Sequence, residues 1–322
     1  MTTLLLGADP NALPTGQVDR LQSLLPTWNV IVTKLPDHME EALPVTEISA
    51  GDIPPDLVTR APRLRWFQQW WAGADWLMNY PQAVEREFVL TNVSGIHAIP
   101  ISEHVLALLL AFARDLPRSF RAQGRREWVV HRDNEDTVFE LAGKTMLLLG
   151  LGAIGQRTAM VAAALGMRVF GVRRNPHIKV PEVEIVVGPD SLCDILPQAD
   201  FVVLTLPLTR DTRGMIGAEE LMRMKPSAYL VNVARGAIVD EQALVRALRE
   251  GWIAGAGLDV FKEEPLPQHS PLWKMQNVTI TAHYSGSSPR YNERAMEIFL
   301  DNLRRYLVGQ PLRNVVDKRL GY

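Results

Sequence analysis

Four side chains in the second half of the chain have the chemistry needed to bind a carboxylate and to move a proton. Arg235, Glu264 and His283 come shortly after apolar runs typical of β-strands, and Asp259 lies near the end of another run. A guanidinium fork matches a carboxylate in geometry, and a carboxylate beside an imidazole favours the protonated ring. Taken singly, each is equally explained as a surface ion-pair partner, a solvated loop acid or a satisfied polar residue. Because ligands bind outside the carboxyl ends of parallel strands, their joint occurrence there predicts one site.

The stretch TMLLLGLGAIG, which ends at Gly155, predicts a dinucleotide site. Its glycines at 150, 152 and 155 have the spacing G-x-G-x-x-G between an apparent buried strand and a helix expected over Ala153–Gly166. Gly150 permits a tight turn, Gly152 lets a pyrophosphate approach the backbone, and Gly155 lets helix and strand pack closely. A purely structural tight turn is the alternative. Four helix residues recur at helical spacing and are expected to face the sheet: Ile154, Thr158, Val161 and Leu165.

The residues after the next predicted strand, Arg168–Val172, bear on which dinucleotide is bound. That strand is followed by Arg173 and Arg174, and Arg173 stands 18 residues after Gly155. A NAD site usually has Asp or Glu about 20 residues on, whereas arginine suits a 2′-phosphate. A charge-assisted hydrogen bond of roughly 1.5–3 kcal/mol would favour the phosphate about tenfold to a hundredfold. We therefore expect NADP(H) to be preferred and NAD(H) to be possible, with two solvated loop arginines as the alternative.

Composition bounds the class of protein. The chain has 322 residues, 47% of them hydrophobic, which is enough for two domains with sizeable cores. The net charge of −2 gives no reason to expect nucleic acid or an anionic membrane as a partner. The single cysteine, Cys193, forms no disulfide within the chain and fits a reducing compartment. The first residues lack a signal-peptide pattern, so we expect a cytoplasmic protein. We also expect no metal site.

The apolar pattern predicts an α/β fold with parallel sheets. In the first hundred residues, strands are expected at Thr3–Leu6, Asn29–Thr33, Leu64–Gln68 and Phe88–Asn92, with a helix at Gln17–Leu25. Later strands are expected at Thr145–Leu149, Arg168–Val172, Glu184–Val187, Phe201–Leu206, Ala228–Val233, Ala256–Val260 and Val278–Ala282. Asp240 is the expected N-cap of a helix over Glu241–Glu250 that Gly251 ends. Ser288 and Pro289 are expected to open the last helix.

Three further segments attract attention. Ile101–Phe112 is apolar nearly all round and is expected to form a buried helix. Arg114–Glu140 is rich in charge, and an interdomain or subunit contact explains it better than nucleic-acid binding, because acids are interspersed among its arginines. The stretch QWWAGADWL, Gln69–Leu77, places bulky rings around small residues. Core packing is the default explanation, but such a turn also exposes backbone N–H groups to a small ligand.

Five pieces of the second half resemble, in order and spacing, the D-isomer-specific 2-hydroxyacid dehydrogenases. They are GKTMLLLGLGAIG, ADFVVLTLPLTRDTRGMI, MKPSAYLVNVARGAIVDEQALVRAL, GAGLDVFKEEPLP and NVTITAHYSGSS. The resemblance covers nearly all of Leu141–Ser288. It is looser over the first hundred residues, where AGAD and NVSGIHAIPISEH are similar to the family's substrate loop and hinge.

The resemblance implies a role for each candidate residue. Arg235 would hold the substrate carboxylate, His283 would be the acid/base, and Glu264 would orient its ring. The backbone N–H groups of Ala72 and Gly73 would receive the carboxylate, while the orientation of Trp70 and Trp71 beside them stays open. The implied cofactor-binding residues are Gly150, Leu151, Gly152, Ala153, Ile154, Gly155, Arg173, Arg174, Leu206, Pro207, Val233, Ala234 and Asp259.

The family fold implies two similar Rossmann-like or flavodoxin-like domains, with cofactor and substrate in the interdomain cleft. The substrate-binding domain would comprise residues 1–99 and 285–322, and the dinucleotide-binding domain residues 100–284. The implied activity is NADPH-preferring reduction of a small 2-oxo acid, such as glyoxylate or hydroxypyruvate, to the D-2-hydroxy acid, by a homodimer. Two alternatives stay open: a dinucleotide-sensing binding protein of corepressor type, and NAD-linked oxidation of a D-2-hydroxy acid.

Overall fold

The computed structural model describes residues 2–130 and 138–322. The chain divides into two compact units. Unit 1 comprises the chain up to Ile96 together with Ser288–Tyr322, and unit 2 comprises His97–Ser287. The expected boundaries at residues 99 and 285 lie within a few residues of these positions. Every described helix is too short or too polar to cross a membrane.

The bounds of the regular elements are as follows. The strands are β1 (Thr3–Gly7), β2 (Asn29–Thr33), β3 (Thr46–Gly51), β4 (Trp66–Gln69), β5 (Val89–Thr91), β6 (Thr145–Leu149), β7 (Arg168–Val172), β8 (Ile185–Val187), β9 (Phe201–Leu204), β10 (Tyr229–Asn232), β11 (Gly255–Leu258) and β12 (Val278–Ile280). The α-helices are α1 (Gln17–Leu24), α2 (Pro36–Ala42), α3 (Pro55–Arg60), α4 (Pro81–Glu85), α5 (Ala98–Ala113), α6 (Leu116–Arg125), α7 (Ala153–Ala164), α8 (Leu192–Ile195), α9 (Ala218–Arg223), α10 (Glu241–Glu250) and α11 (Tyr291–Leu307).

Unit 1 is a parallel sheet of order β2-β1-β3-β4-β5. Strand β3, next to the first strand, is missing from the sequence-based expectations. Its sequence, TEISAG, is almost fully buried but contains small residues rather than an apolar run. Gly51 at its end has a φ of 92°, and a Cβ there would come 2.5 Å from the carbonyl oxygen of Gly7. Small residues are therefore required where these two strands end.

Helix α11 completes the core on one face of this sheet. Its residues Ala295, Phe299 and Leu303 are buried against apolar side chains of β1, β3 and β4. The Phe299 ring lies with its centroid 5.6 Å from that of Trp66. The helix begins at Tyr291 rather than at the expected Ser288, and Arg290 is its N-cap residue.

Unit 2 is a parallel sheet of order β12-β11-β10-β9-β6-β7-β8. The chain passes outward from β6 to β8 and returns to β9 on the other side of β6. In sheets of this kind ligands bind where the strand order reverses. The segments that follow β6, β9, β10, β11 and β12 therefore share the edge at which a ligand is expected.

Two helices of unit 2 correct the sequence-based packing. Helix α7 buries Gly155, Thr158, Ala159 and Ala162, so the expected inward positions of Val161 and Leu165 are wrong, and Leu165 is 39% exposed. Small residues face inward because they allow the helix to approach its neighbours closely. Helix α5 packs against α7, but it is buried along one face and leaves Leu110 exposed.

Helix α10 is capped as its sequence predicts. The Asp240 carboxylate accepts hydrogen bonds from the backbone N–H groups of Gln242 and Ala243, at 3.0 and 3.2 Å. Gly251 ends the helix with a φ of 72°. The capping prediction is confirmed at both ends.

Candidate active site

The loop after β10 is held in shape by a buried amide. Asn232 donates a hydrogen bond to the carbonyl oxygen of Arg235 at 3.0 Å and accepts one from the N–H of Ala234 at 3.0 Å. The next residue, Gly236, packs so tightly that a Cβ there would come 1.9 Å from the carbonyl carbon of Phe261. The loop that carries Arg235 thus lies directly against the loop that follows β11.

Glu264 and His283 form a close pair of a carboxylate and an imidazole in unit 2. His283 Nδ1 lies 2.6 Å from one carboxylate oxygen of Glu264. The other oxygen accepts a hydrogen bond from the N–H of Phe261 at 2.9 Å. Both side chains reach solvent, being 46% and 35% exposed for His283 and Glu264. With Nδ1–H donating to the fixed carboxylate, Nε2 is the ring atom left to exchange a proton with a ligand.

His283 is held in an uncommon backbone conformation. Its φ is 51°, in the left-handed region that few residues other than glycine adopt. Its backbone N–H donates to the carbonyl oxygen of Asp259 at 2.8 Å, which fixes the residue at that position. Strained backbone of this kind clusters at functional sites, so the local geometry supports a functional role for this histidine.

Asp259 is fully buried, and its carboxylate organises the segment that carries His283. One oxygen accepts from the Thr281 hydroxyl at 2.6 Å and from the N–H of Tyr284 at 3.1 Å. The other accepts from the N–H of Ser285 at 3.1 Å. Burial alone would raise the pKa of Asp259, but the hydrogen bonds from Ser285 and Thr281 outweigh it and lower that pKa. The side chain is therefore a buried carboxylate that is hydrogen-bonded to the protein itself, and the cofactor contact that the resemblance implies stays a prediction.

Two histidines near this cluster were missed in the sequence analysis. Burial and, second, the positive charge of Arg235 lower the pKa of His97 to about 4. The His97 ring also packs on Gly286, where a Cβ would come 2.9 Å from its Cδ2 atom. His104 Nε2 lies 3.1 Å from the Thr281 hydroxyl, and burial lowers the pKa of His104. Both histidines lie at or in an apolar helix, where a histidine gives no signal of a functional site. The sequence clue to His97 is Gly286, the third residue after His283, because the His97 ring packs on it.

The glycine turn between β6 and α7 fits a dinucleotide. Gly150 has a φ of 101°, and a Cβ there would come 2.8 Å from the backbone nitrogen of Leu206. A Cβ on Gly155 would come 2.1 Å from the carbonyl oxygen of Gly150, so helix and strand are in close contact. Gly152 is exposed, and a Cβ there would meet no described atom within 4 Å. The first turn of α7 therefore presents its N–H groups to open space, as a pyrophosphate requires.

The other cofactor candidates surround this turn to different degrees. Leu206 abuts Gly150, and Pro207 follows it at an exposed position. Leu151 is buried against Gly171 of β7, and Ala153 is exposed at the first position of α7. The remaining candidates also lie at this sheet edge: Ile154 in α7, half-buried Arg173 and exposed Arg174 after β7, and buried Val233 and Ala234 after β10.

In unit 1, the candidate substrate loop is fixed through its carbonyl groups. Gln69, at the end of β4, donates through its amide to the carbonyl oxygens of Trp71 and Gly73 at 2.9 and 2.6 Å. Asn92 donates to the carbonyl oxygen of Ala72 at 2.8 Å. Among the described residues, no protein group accepts a hydrogen bond from the backbone N–H of Ala72 or Gly73. These two donors are thus available to an anion.

The two tryptophans before this loop differ in their surroundings. Trp70 is only 5% exposed and belongs to the apolar core under α11. Trp71 is half-buried, and its ring meets Phe67 edge-on at a centroid distance of 6.2 Å. Only Trp71 therefore borders open space that a ligand could enter.

Comparison with known proteins places these features in one family. The model of D-isomer specific 2-hydroxyacid dehydrogenase, NAD binding domain, matches residues 106–285. The glyoxylate reductase of Korarchaeum cryptofilum is 35% identical over 299 residues, which are 92% of this chain and 87% of that reductase. A solved D-isomer specific 2-hydroxyacid dehydrogenase family protein from Aeromonas salmonicida is 35% identical, with a TM-score of 0.85 over 98% of this chain and 99% of that one. The NADPH-dependent glyoxylate/hydroxypyruvate reductase of Sinorhizobium meliloti, solved with NADP and sulfate, is 29% identical, with a TM-score of 0.84 over 100% of both chains.

Proposed function

We propose, from the premise that this chain belongs to the D-isomer specific 2-hydroxyacid dehydrogenase family, that it reduces a small 2-oxo acid to the D-2-hydroxy acid and prefers NADPH. The contact of 2.6 Å between His283 and Glu264 carries this proposal. It provides an oriented acid/base at the sheet edge where the glycine turn and Arg235 also lie.

The proposed proton transfer uses residues of unit 2. Arg235 binds the substrate carboxylate and polarises the neighbouring carbonyl, for which a guanidinium fork is suited. His283 donates a proton from Nε2 to the oxygen on which charge develops. Glu264 accepts from Nδ1–H and so holds the ring in one orientation and tautomer. Asp259 acts as a positioning residue, since its carboxylate accepts hydrogen bonds from the N–H groups of Tyr284 and Ser285, the two residues that follow His283.

The cofactor fits the exposed glycine turn. A bound reduced nicotinamide dinucleotide supplies the hydride. The N–H groups at the start of α7 would bind its pyrophosphate, and Leu206 and Pro207 would line its adenine site, as the resemblance to the family implies. In the same proposal, the free N–H groups of Ala72 and Gly73 in unit 1 receive the substrate carboxylate.

Arg173 and Arg174 support the preference for NADPH. They follow β7 directly, at the position where a NAD site usually has an acid for the ribose 2′-OH. The Sinorhizobium meliloti relative is described as NADPH-dependent, and its structure contains NADP. Both observations favour binding of a 2′-phosphate in this chain.

The test is a reductase assay at the absorbance band of reduced nicotinamide. Glyoxylate, hydroxypyruvate, pyruvate and a branched 2-oxo acid are each supplied with NADPH and with NADH. Faster oxidation of NADPH supports both the activity and the arginine pair. Turnover with NADH alone would contradict the cofactor preference and favour the NAD-linked alternative. Binding of both cofactors without turnover would favour the dinucleotide-sensing alternative.

A homodimer and a cytoplasmic location complete the proposal. In the segment Arg114–Glu140, Phe120 on α6 is 64% exposed and Trp128 is 93% exposed. Exposed aromatic side chains are enriched at protein interfaces, and a second copy of this chain is the proposed partner. The part of this segment from His131 to Thr137 lies outside the described residues. Sedimentation of the Phe120→Glu variant tests the dimer, because this substitution should dissociate it into monomers. Cell fractionation tests the cytoplasmic location.

A further inference from the structure

Unit 1 contains a cavity of about 260 Å³ at the carboxyl edge of its sheet. Its lining comes from the segments that follow three strands: Lys34 after β2, Asp52 and Ile53 after β3, and Trp71 after β4. Met39 of α2 and three prolines complete the lining. Parallel sheets bind ligands at this edge, and no step of the proposed reaction uses the cavity.

The size and chemistry of the cavity suit part of a ligand. Liquid water occupies about 30 Å³ per molecule, so the cavity has the volume of about eight or nine waters. That is below the range of roughly 300–1,000 Å³ for pockets that hold whole ligands. Met39 and Ile53 form a buried apolar floor, and the Trp71 ring forms a wall fixed by its edge-on contact with Phe67. An apolar group of several carbons therefore fits it.

The cavity adjoins the proposed carboxylate-binding loop. Trp71 lines the cavity and directly precedes Ala72, and consecutive Cα atoms lie about 3.8 Å apart. Burial, together with the charge of Asp52, which also lines the cavity, raises the pKa of Tyr291 to about 12. The Tyr291 hydroxyl in turn donates to the carbonyl oxygen of Trp70. A substrate held by the Ala72 and Gly73 N–H groups has this cavity within reach of its side chain.

We propose that this cavity binds the side chain of the 2-oxo acid and selects branched aliphatic or aromatic side chains. This assignment rests on the proposed reductase function. The apolar floor and wall reward each buried carbon. Asp52 repels a second carboxylate on the side chain, whereas Lys34, which is also exposed at the cavity, attracts one. The two charges therefore offset each other, and selection rests on the apolar surface.

The first experiment compares pyruvate with 4-methyl-2-oxopentanoate, which has three more carbons. Each buried CH₂ is worth about fourfold, so kcat/KM of the native enzyme should be about tenfold to sixtyfold higher for the longer acid. Pro36→Trp fills the cavity from an exposed position and should remove most of this advantage, by lowering kcat/KM for the longer acid far more than for pyruvate. Met39→Phe fills it from the floor and should act in the same direction.

The outcomes separate this assignment from the function on which it rests. Turnover of pyruvate without any gain from the longer acid would overturn the assignment alone. So would an unchanged ratio in both filling variants when circular dichroism shows that they are folded. Failure to reduce every 2-oxo acid tested would overturn the reductase proposal and this assignment with it.

The charge argument has its own measurement. Asp52→Asn should raise kcat/KM for 2-oxoglutarate relative to 4-methyl-2-oxopentanoate, because a carboxylate at the cavity is removed. Asp56→Asn is the matched control, since Asp56 lies in α3 and does not line the cavity. An equal change in both variants, or no change in either, would contradict the role of Asp52 in selection.

Discussion

The half-buried His97 ring predicts a specific loss of stability in mild acid. Its pKa is lowered to about 4 from the usual histidine value of 6.5, chiefly by burial and then by Arg235. Above pH 6.5 the imidazole is neutral in the folded and unfolded chains, so it contributes no pH dependence. As the pH falls below 6.5, the unfolded chain takes up the proton first. Stability is therefore lost as the pH falls, until the folded protein is protonated near pH 4 as well.

The magnitude follows from the same two values. Between about pH 7.5 and about pH 5, this single group should lower the free energy of unfolding by about 2 kcal/mol. The figure is an upper estimate, because partial access of solvent to the ring would reduce it. Replacing His97 by Gln or by Phe removes the titrating group and should remove this component of the pH dependence.

Urea unfolding of the native protein and both variants, at the two pH values, measures the effect. The variants will differ from each other in absolute stability, because their side chains pack differently on Gly286. Their change in stability between the two pH values should nevertheless be alike and smaller than that of the native protein. Equal pH dependence in all three proteins would refute the environment described for His97.

Four further predictions concern the reaction. Replacing His283 by Asn should lower kcat by about 10²–10⁴-fold, the usual worth of general acid catalysis, while NADPH binding measured by fluorescence persists. The Glu264→Gln variant should retain a higher kcat than the Glu264→Ala variant. Equal losses of kcat in these two variants would contradict an orienting role for Glu264. Gly236→Ala would place a Cβ 1.9 Å from backbone of the facing loop, so KM for the 2-oxo acid should rise more than KM for NADPH, and unchanged steady-state constants would contradict the packing argument. Removing the guanidinium groups of Arg173 and Arg174 together by alanine substitution should raise KM for NADPH relative to NADH by about tenfold to a hundredfold, whereas a similar rise for both would count against a phosphate contact.

The sequence predicts best where local chemistry decides the structure. The bounds of β2, β6, β7 and the helix that Asp240 caps agree with the expectations residue for residue. At β6 and β7 the apolar run lies beside a glycine, at β2 it lies between Pro26 and Pro36, and Asp240 caps the helix. Each of these signals lies within a few residues of the element that it bounds. Glu264 and His283 were paired by resemblance to a family, and the contact in the structure agrees with that pairing.

Packing against distant segments accounts for the errors. Strand β3 is buried, yet Ser49 and Ala50 give it no apolar signal, because close neighbours leave room only for small side chains. The inward face of α7 was assigned to its larger residues, whereas Ala159 and Ala162 face the core for the same reason. Helical spacing of apolar residues reveals the buried face of a helix only when large residues occupy that face. Where the helix lies close to its neighbours, as α7 does, small residues occupy the buried face and the pattern of large residues points to the wrong side.

The hydrogen bonds that shape the site were not predicted, for a related reason. Parallel strands β10 and β11 end at neighbouring positions, and the loops that follow need hydrogen-bond partners for their backbone groups. Asn232 supplies them for the loop of Arg235, and Asp259 supplies them for the segment of His283. Both are polar side chains buried at the end of an apolar strand, a position that costs free energy unless each polar atom is bonded. Such a residue is therefore a signal for a shaped functional loop just beyond it, even when it touches no ligand itself.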